Sequence, residues 1–315
     1  MGSFLSEENR SFIRELEEKW GFHRISHDDR EIFDRFRENI CFADLTFSLC
    51  TAWDFAFGYC IRSFGDSAVI TGCGIDGIVS CCLLPAEDCC IDSIIEELLK
   101  AFGSYGYGLK FEYITEEQLG LFENSRYRTA ISYDIDYSDY IYRTEDFVNL
   151  SGSANKGKRN ELRVFRENNP GAVFKECRPL DKYLEDMDEI FSGWCSSRKC
   201  SNCRFGCEKT AINALFQVYD PDRFCTGIVY IGEEPVSFAV EEKINSRYVC
   251  CHFQKNIRPI SGVTYFLHYS LCGLHMDIPY LNWAEDMGIE GIRRNKSKYH
   301  PCEHKHKYTV RMLPN

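Results

Sequence analysis

The chain has 315 residues, 37 lysines and arginines against 48 aspartates and glutamates, a formal net charge of −11, and 44% hydrophobic residues. That balance excludes disordered and fibrous classes, leaves room for two ordinary domains, and means that any positive surface has to be gathered locally. No apolar run approaches the roughly 18 residues needed to span a bilayer, and the amino terminus is acidic and amphipathic rather than signal-like, so a cytoplasmic protein is expected. Eighteen cysteines, some adjacent as in Cys81-Cys82, Cys89-Cys90 and Cys250-Cys251, read in a reducing compartment as small apolar core residues and not as a disulfide scaffold.

In chain order, Phe12, Ile13, Leu16 and Trp20 place an apolar stripe on a helix over 4–20, and Ile32, Phe33 and Phe36 do the same over 28–39. The stretch "DLTFSLCTAWDFAFGYCIRSFGDSAVITG" reads as strand-like, broken at Gly65-Asp66. "IDSIIEELLKAFG" reads as a helix ended by Gly103 as its C′ residue, with a strand to about 115. A joint is expected in 132–152, where aromatic and acidic residues alternate before a Ser/Gly-rich segment, which gives domains over 1–140 and 141–315. Beyond it come a strand ("AVFKECRPL"), two helices (181–198 and 207–221), three strands joined by the short turns "GEEP" and "INSR", a helix over 261–276, a strand ("IPYLNW"), a loop entering a helix, and a last strand ("KHKYTVRML"). A meander followed by helix, strand, helix and strand is the order of an acetyltransferase-like (GNAT-like) α/β fold. The looser alternation before 140 suggests a tandem pair, with mixed sheets flanked by helices.

Two basic clusters interrupt the acidic background. In "ANKGKRNELRVFRENNP", Arg159, Arg163 and Arg166 share one helical side, with Lys156 and Lys158 nearby and Leu162 and Phe165 marking the apolar stripe. Guanidinium groups engage phosphate in bidentate fashion, so this helix is expected to face a polyanion, although a plain solvated face has similar composition. In "NWAEDMGIEGIRRNKSKYHP", Gly288 and Gly291 give a loop that can approach a ligand ahead of a helix N-terminus. Arg293 and Lys296 fall on one helical face, Arg294 and Lys298 on another. Asp286 stands where a carboxylate can cap that helix or hold an ammonium.

The second cluster resembles the terminal motif of the soluble catalytic domain of phosphatidylglycerol lysyltransferases and related stand-alone proteins. Asn282, Glu285, Asp286, Gly288, Gly291, Arg293, Lys296, Tyr299 and Pro301 match in place. "FADLTFSLCTAWDFAFGY", the "KGKRNELRVFRENNP" helix, Trp194 followed by Glu208, and "CCHFQKN" with His252 and Lys255 look alike too. The resemblance implies a tandem acetyltransferase-like fold and transfer of an aminoacyl group from aminoacyl-tRNA to a hydroxyl or amine. The 315 residues hold no counterpart of the multi-helix membrane domain of those enzymes, so a soluble or peripheral acceptor is expected at least as readily as a lipid headgroup.

On this reading Asp286, with Glu285 as second choice, recognises the donor ammonium or acts as general base. Arg293, Lys296 and Lys255 meet the terminal phosphates or the developing oxyanion, and Lys158 and Arg159 follow the acceptor stem. Glu208 either has a polar role in the site or pairs with a basic neighbour. The competing reading is acyl-CoA chemistry, but "KNIRPISGVTY" supplies one glycine, Gly262, and a proline where a pyrophosphate cradle belongs.

No cofactor is expected. Cys195, Cys200, Cys203 and Cys207 have the most ligand-like spacing for zinc or an iron–sulfur cluster, and the balance of readings is against a metal there. His300, His304, His306 and Cys302 read as a charged rim, and "YDIDYSDY" as surface at the domain edge.

Overall fold

The computed structural model describes residues 5–198 and 207–314. Its strands, in chain order, are β1 (His23–Arg24), β2 (Cys60–Phe64), β3 (Ser67–Cys73), β4 (Val79–Leu84), β5 (Lys110–Ile114), β6 (Thr129–Tyr133), β7 (Asp139–Arg143), β8 (Ala172–Glu176), β9 (Phe224–Ile231), β10 (Glu234–Lys243), β11 (Tyr248–Asn256), β12 (Tyr280–Asn282), β13 (Glu303–Lys305) and β14 (Tyr308–Met312). The α-helices are α1 (Glu7–Lys19), α2 (Arg30–Phe36), α3 (Phe47–Phe57), α4 (Ile91–Gly103), α5 (Leu119–Glu123), α6 (Thr144–Asn149), α7 (Lys156–Asn168), α8 (Leu184–Arg198), α9 (Glu208–Gln217), α10 (Val263–Cys272) and α11 (Glu290–Ser297). None of the described helices is long and apolar enough to cross a membrane.

Two seven-stranded mixed sheets form, in the orders β1-β2-β3-β4-β5-β14-β6 and β13-β7-β12-β11-β10-β9-β8. In each, an antiparallel meander runs into a helix and returns as a parallel strand: β2-β3-β4-α4-β5 in the first, β9-β10-β11-α10-β12 in the second. This is a tandem acetyltransferase-like α/β fold. The halves exchange strands. β7, made directly after β6, leaves the first sheet to pair with β12, and β14 crosses back to lie between β5 and β6.

The layers follow from the apolar faces. Phe12 and Leu16 of α1 and Ile95, Leu98 and Phe102 of α4 cover one face of the first sheet. Its other face meets the second sheet in a core that mixes Phe33, Phe36, Phe42, Phe47, Ile70, Leu84, Ile141 and Tyr248. Helices α6, α7 and α10 cover the far face of the second sheet, and α8 and α9 pack over Phe224, Phe238 and Phe253. Many cysteines, including Cys41, Cys50, Cys60, Cys81, Cys82, Cys250 and Cys272, are buried, in the role of small apolar residues.

Some elements differ from the sequence reading. Residues 47–57 are helical, not strand-like: Thr46 caps the start by accepting the Leu49 amide, and Gly58, at φ +67°, ends the helix. The helix packs between the halves, with Trp53 near Phe253, and its apolar residues are spread around it with Phe55 exposed, so the stripe that would reveal it is absent. Gly103 is the last residue of α4, with Ser104 as its C-cap, and not the C′ residue beyond the helix. The segment 303–312 is two strands in different sheets.

Candidate functional site

The second sheet has a built-in gap. The parallel strands β11 and β12 pair only through Tyr248↔Tyr280, Val249↔Leu281 and Cys250↔Asn282; beyond these β11 runs on to Asn256 while the other chain turns away at Trp283. That turn is the "NWAEDMGIEG" segment, and its backbone is strained. Ala284 and Met287 have φ of +52° and +55°, in the left-handed region that non-glycine residues avoid, and Gly288 has +70°. A Cβ on Gly288 would stand 2.6 Å from Asp136 Oδ2, so glycine is required twice over there.

Side chains hold the strained loop. All three N–H groups of Lys296 have carbonyl partners within reach: Trp283, Ala284 at 3.1 Å and Glu285 at 2.6 Å. Burial pulls its pKa down. Asp286 accepts two hydrogen bonds from Arg293 at 2.8 Å, one from the Tyr140 hydroxyl at 2.6 Å and one from the Gly288 amide at 2.8 Å. Burial opposes ionisation, but these donors outweigh it and hold the carboxylate at about 2. Asp286 therefore neither caps α11, whose N-cap is Ile289, nor is open to a substrate ammonium; it anchors Arg293, which also reaches Asp136. Gly291 lies within α11, with nothing near its missing Cβ, and not in the preceding loop.

Beside this loop, Lys307 donates to Asp44 at 2.6 Å and Glu285 at 2.8 Å and lies 2.7 Å from Asp139. Asn282 donates to Asp139 and to the Cys41 carbonyl, tying the cluster to the first half. Burial pushes Asp139 up to about 7 and Asp44 upward, while Lys307 and Lys296 overcome burial at Glu285 and keep it ionised. Despite its burial, Lys307 is held well above its ordinary value by the three carboxylates. Only Glu285 and Asp44, with side chains 14% and 20% exposed, reach solvent; Asp139 is sealed. Asp139 therefore departs from the surface role expected of "YDIDYSDY".

The other predicted residues are distributed around this gap. Lys255, on the part of β11 beyond the pairing, donates to Glu208 at 3.0 Å and lies 4.6 Å over Trp194, so Glu208 pairs with a basic neighbour that is itself a candidate site residue. His252 faces Glu242 at 2.7 Å, and Ser48 donates to that same carboxylate. Lys158 does not follow a surface anion. It is buried, with Nζ 5.8, 6.0 and 5.1 Å from the rings of Phe147, Tyr265 and Tyr299, and loss of solvent lowers its pKa to about 8. Arg159 donates to the Leu150 and Gly152 carbonyls, Arg163 pairs with Glu167, Arg294 with Glu290, and Arg166 lies over Phe266 and Tyr269. Those arginines, with Lys156 and Lys298, remain exposed on α7 and at the end of α11, and Lys158 over Tyr299 joins the two helices.

His306 stacks on Tyr133, and His304 sits edge-on to Tyr140. Of the cysteine quartet, Cys200 and Cys203 lie outside the described residues; Cys195 is on α8 and Cys207 is the N-cap of α9. Sequence reasoning missed Asp44, Asp139 and Lys307. Asp44 lies within the matched "FADLTF" stretch, but nothing local marks any of the three as partners.

A profile described as "Phosphatidylglycerol lysyltransferase, C-terminal" matches residues 42–311. Among solved structures, a conserved protein of unknown function from Bacteroides thetaiotaomicron superposes with a TM-score of 0.83 at 22% identity, over 93% of this chain and 99% of that one. The C-terminal domain of a putative lysylphosphatidylglycerol synthetase from Agrobacterium fabrum gives 0.65 at 14% identity, over 91% and 92%. L-PGS from Bacillus licheniformis gives 0.64 at 17% identity, over 93% and 94%. No curated protein matches. These identities speak for the fold, and the profile, covering most of the chain together with the 282–301 motif, places the chain in the family of phosphatidylglycerol lysyltransferase C-terminal domains.

Proposed function

We propose that this chain is an aminoacyltransferase that moves an aminoacyl group from aminoacyl-tRNA to an amine or hydroxyl, on a lipid headgroup or a soluble acceptor. The observation that carries the reading is Glu285, an ionised carboxylate held by Lys307 and partly open to solvent, on the loop after β12 in which Ala284, Met287 and Gly288 are left-handed. Such a transfer needs orientation, a base and charge stabilisation, because the donor ester is already activated. The acceptor attacks the ester carbonyl and gives its proton to Glu285. The tetrahedral oxyanion then collapses, the C–O bond to the ribose breaks, and Glu285 returns the proton to the leaving hydroxyl.

Asp286 and Lys296 position this loop, Asp286 through Arg293 and Lys296 through the three carbonyls. Arg293, half-exposed, is the member of that set that can also meet a phosphate or the oxyanion. The exposed cations of α7 and of the α11 terminus support a polyanionic donor. Against the acyl-CoA reading, the N-terminus of α10 is covered: a Cβ on Gly262 would lie 2.9 Å from the Glu161 carbonyl of α7, so that helix end offers no open cradle for a pyrophosphate.

The test is to incubate purified protein with labelled aminoacyl-tRNA pools and, separately, with acetyl-CoA. Label should leave one class of aminoacyl-tRNA, and Glu285→Gln should lower the turnover number by roughly 100-fold or more with tRNA binding retained. Release from acetyl-CoA alone, or a wild-type rate in Glu285→Gln, defeats the reading. If tRNA binds and no transfer occurs in wild-type protein, the chain is a noncatalytic binder.

A further inference from the structure

A second polar cluster lies away from the strained loop, between the second sheet and α10. Glu241 on β10 sits just past a register shift at Val240/Glu241 and directly opposite Cys251 on β11. The side chain of Glu241 is fully buried, and the groups that face its two oxygens are imidazoles: His268 Nδ1 of α10 at 3.1 Å and His275 Nε2, just beyond α10, at 3.3 Å. The ligand atoms of Glu241, Cys251 and His268 all lie within 4.8 Å of one another.

Three atoms here are left without hydrogen bonds. Glu241 Oε2 and both ring nitrogens of His275 are buried and have no hydrogen-bond partner among the described residues. Orphaned buried polar atoms are rare in native proteins, and a buried carboxylate without a compensating cation costs several kcal/mol. A proton on His268 would neutralise the carboxylate but leave His275 bare on both nitrogens.

We infer that Glu241, Cys251 and His268, with His275 beside the second oxygen of Glu241, form a binding site for one zinc-type divalent ion that ties β10 and β11 to α10. One carboxylate and one thiolate balance a doubly charged ion, so the occupied site is electrically neutral, as its surroundings require. The mix of one soft ligand with harder ones suits zinc or cobalt rather than magnesium or calcium. Tetrahedral zinc places its ligands roughly 3.3–3.7 Å apart, close to the 3.1 Å between His268 and Glu241 and inside the 4.8 Å that bounds the Glu241, Cys251 and His268 set. Loading releases the thiol proton to solvent.

The experiment uses the full chain, expressed with zinc and purified under reducing conditions without chelator, with metal content measured by plasma mass spectrometry. About one zinc per chain is expected, kept in a Cys195→Ser/Cys207→Ser variant and lost in Cys251→Ser and in His268→Gln. Cobalt added to the apo-protein should give a thiolate-to-metal charge-transfer band that Cys251→Ser abolishes. Because these variants could fail to fold, wild-type protein is also alkylated with iodoacetamide with and without zinc, and Cys251 is followed by peptide mass spectrometry. Protection of Cys251 by zinc supports the site. Equal alkylation, or zinc that survives Cys251→Ser and disappears with Cys195→Ser/Cys207→Ser, overturns it.

Discussion

Lys158 sits among three aromatic rings with its pKa lowered to about 8, while in an unfolded chain a lysine titrates near 10.4. Between those values the unfolded state binds more protons, so folding stability should rise with pH from about 8 to about 10. Lys158→Met should flatten that rise and stabilise the protein at neutral pH by on the order of 1–2 kcal/mol, read from urea unfolding at several pH values. Asp286 gives a pH slope of the same direction but from a stabilising charge rather than a penalised one: held at about 2, its contribution is present above its ordinary value and is lost as pH falls through the folded one. Asp286→Ala should cost about 2–4 kcal/mol, and adding Arg293→Ala to it should change stability little further, because the bonds between the two side chains are already gone. The sequence marked both residues, yet their pairing was hidden by the left-handed residues between them, Met287 and Gly288, which bend the chain so that positions seven apart meet. Lys307 was illegible for a simpler reason: its partners Asp44 and Asp139 are distant in sequence and converge only through the fold.

At the scale of elements, the periodic helices were readable from one apolar stripe, as with Leu162 and Phe165 on α7, and the meander β9-β10-β11 from the short turns that join its strands. α3 was not, because its apolar residues are spread around the helix and Ser48, Thr51 and Asp54 do not segregate into a polar face that would set the period. The packing of α7 on α10 was equally hidden, since it rests on Gly262 at φ +82°, where a Cβ would meet Phe165 Cβ at 2.8 Å and the Glu161 carbonyl at 2.9 Å. Gly262→Ala should therefore push α7 away, lowering stability by roughly 2 kcal/mol or more from strain and lost contact. Faster amide exchange across 156–168, with β2 and β3 unaffected, would show the effect is local. Unchanged exchange in α7 would mean the backbone absorbs the change elsewhere.

For the whole molecule, the acetyltransferase-like order of each half was legible, whereas the exchange of β7 and β14 was not, because a strand's alternation shows which face is buried but not which sheet it joins. Removing residues 308–315 should leave β5 and β6 without the strand that joins them. The truncated chain is expected to lose near-ultraviolet circular dichroism and to aggregate on gel filtration, where the full chain gives one compact species. A segment ending at residue 140 lacks the same strand and should behave likewise. The crossing of β14 also reverses the usual timetable of a growing polypeptide, in which the earliest-made domain finishes first. Here the amino-terminal sheet waits for residues 308–312, made after every strand of the second sheet, so its apolar face stays open while those strands are synthesised, and a chain stalled before residue 308 is the form that chaperones would have to shield.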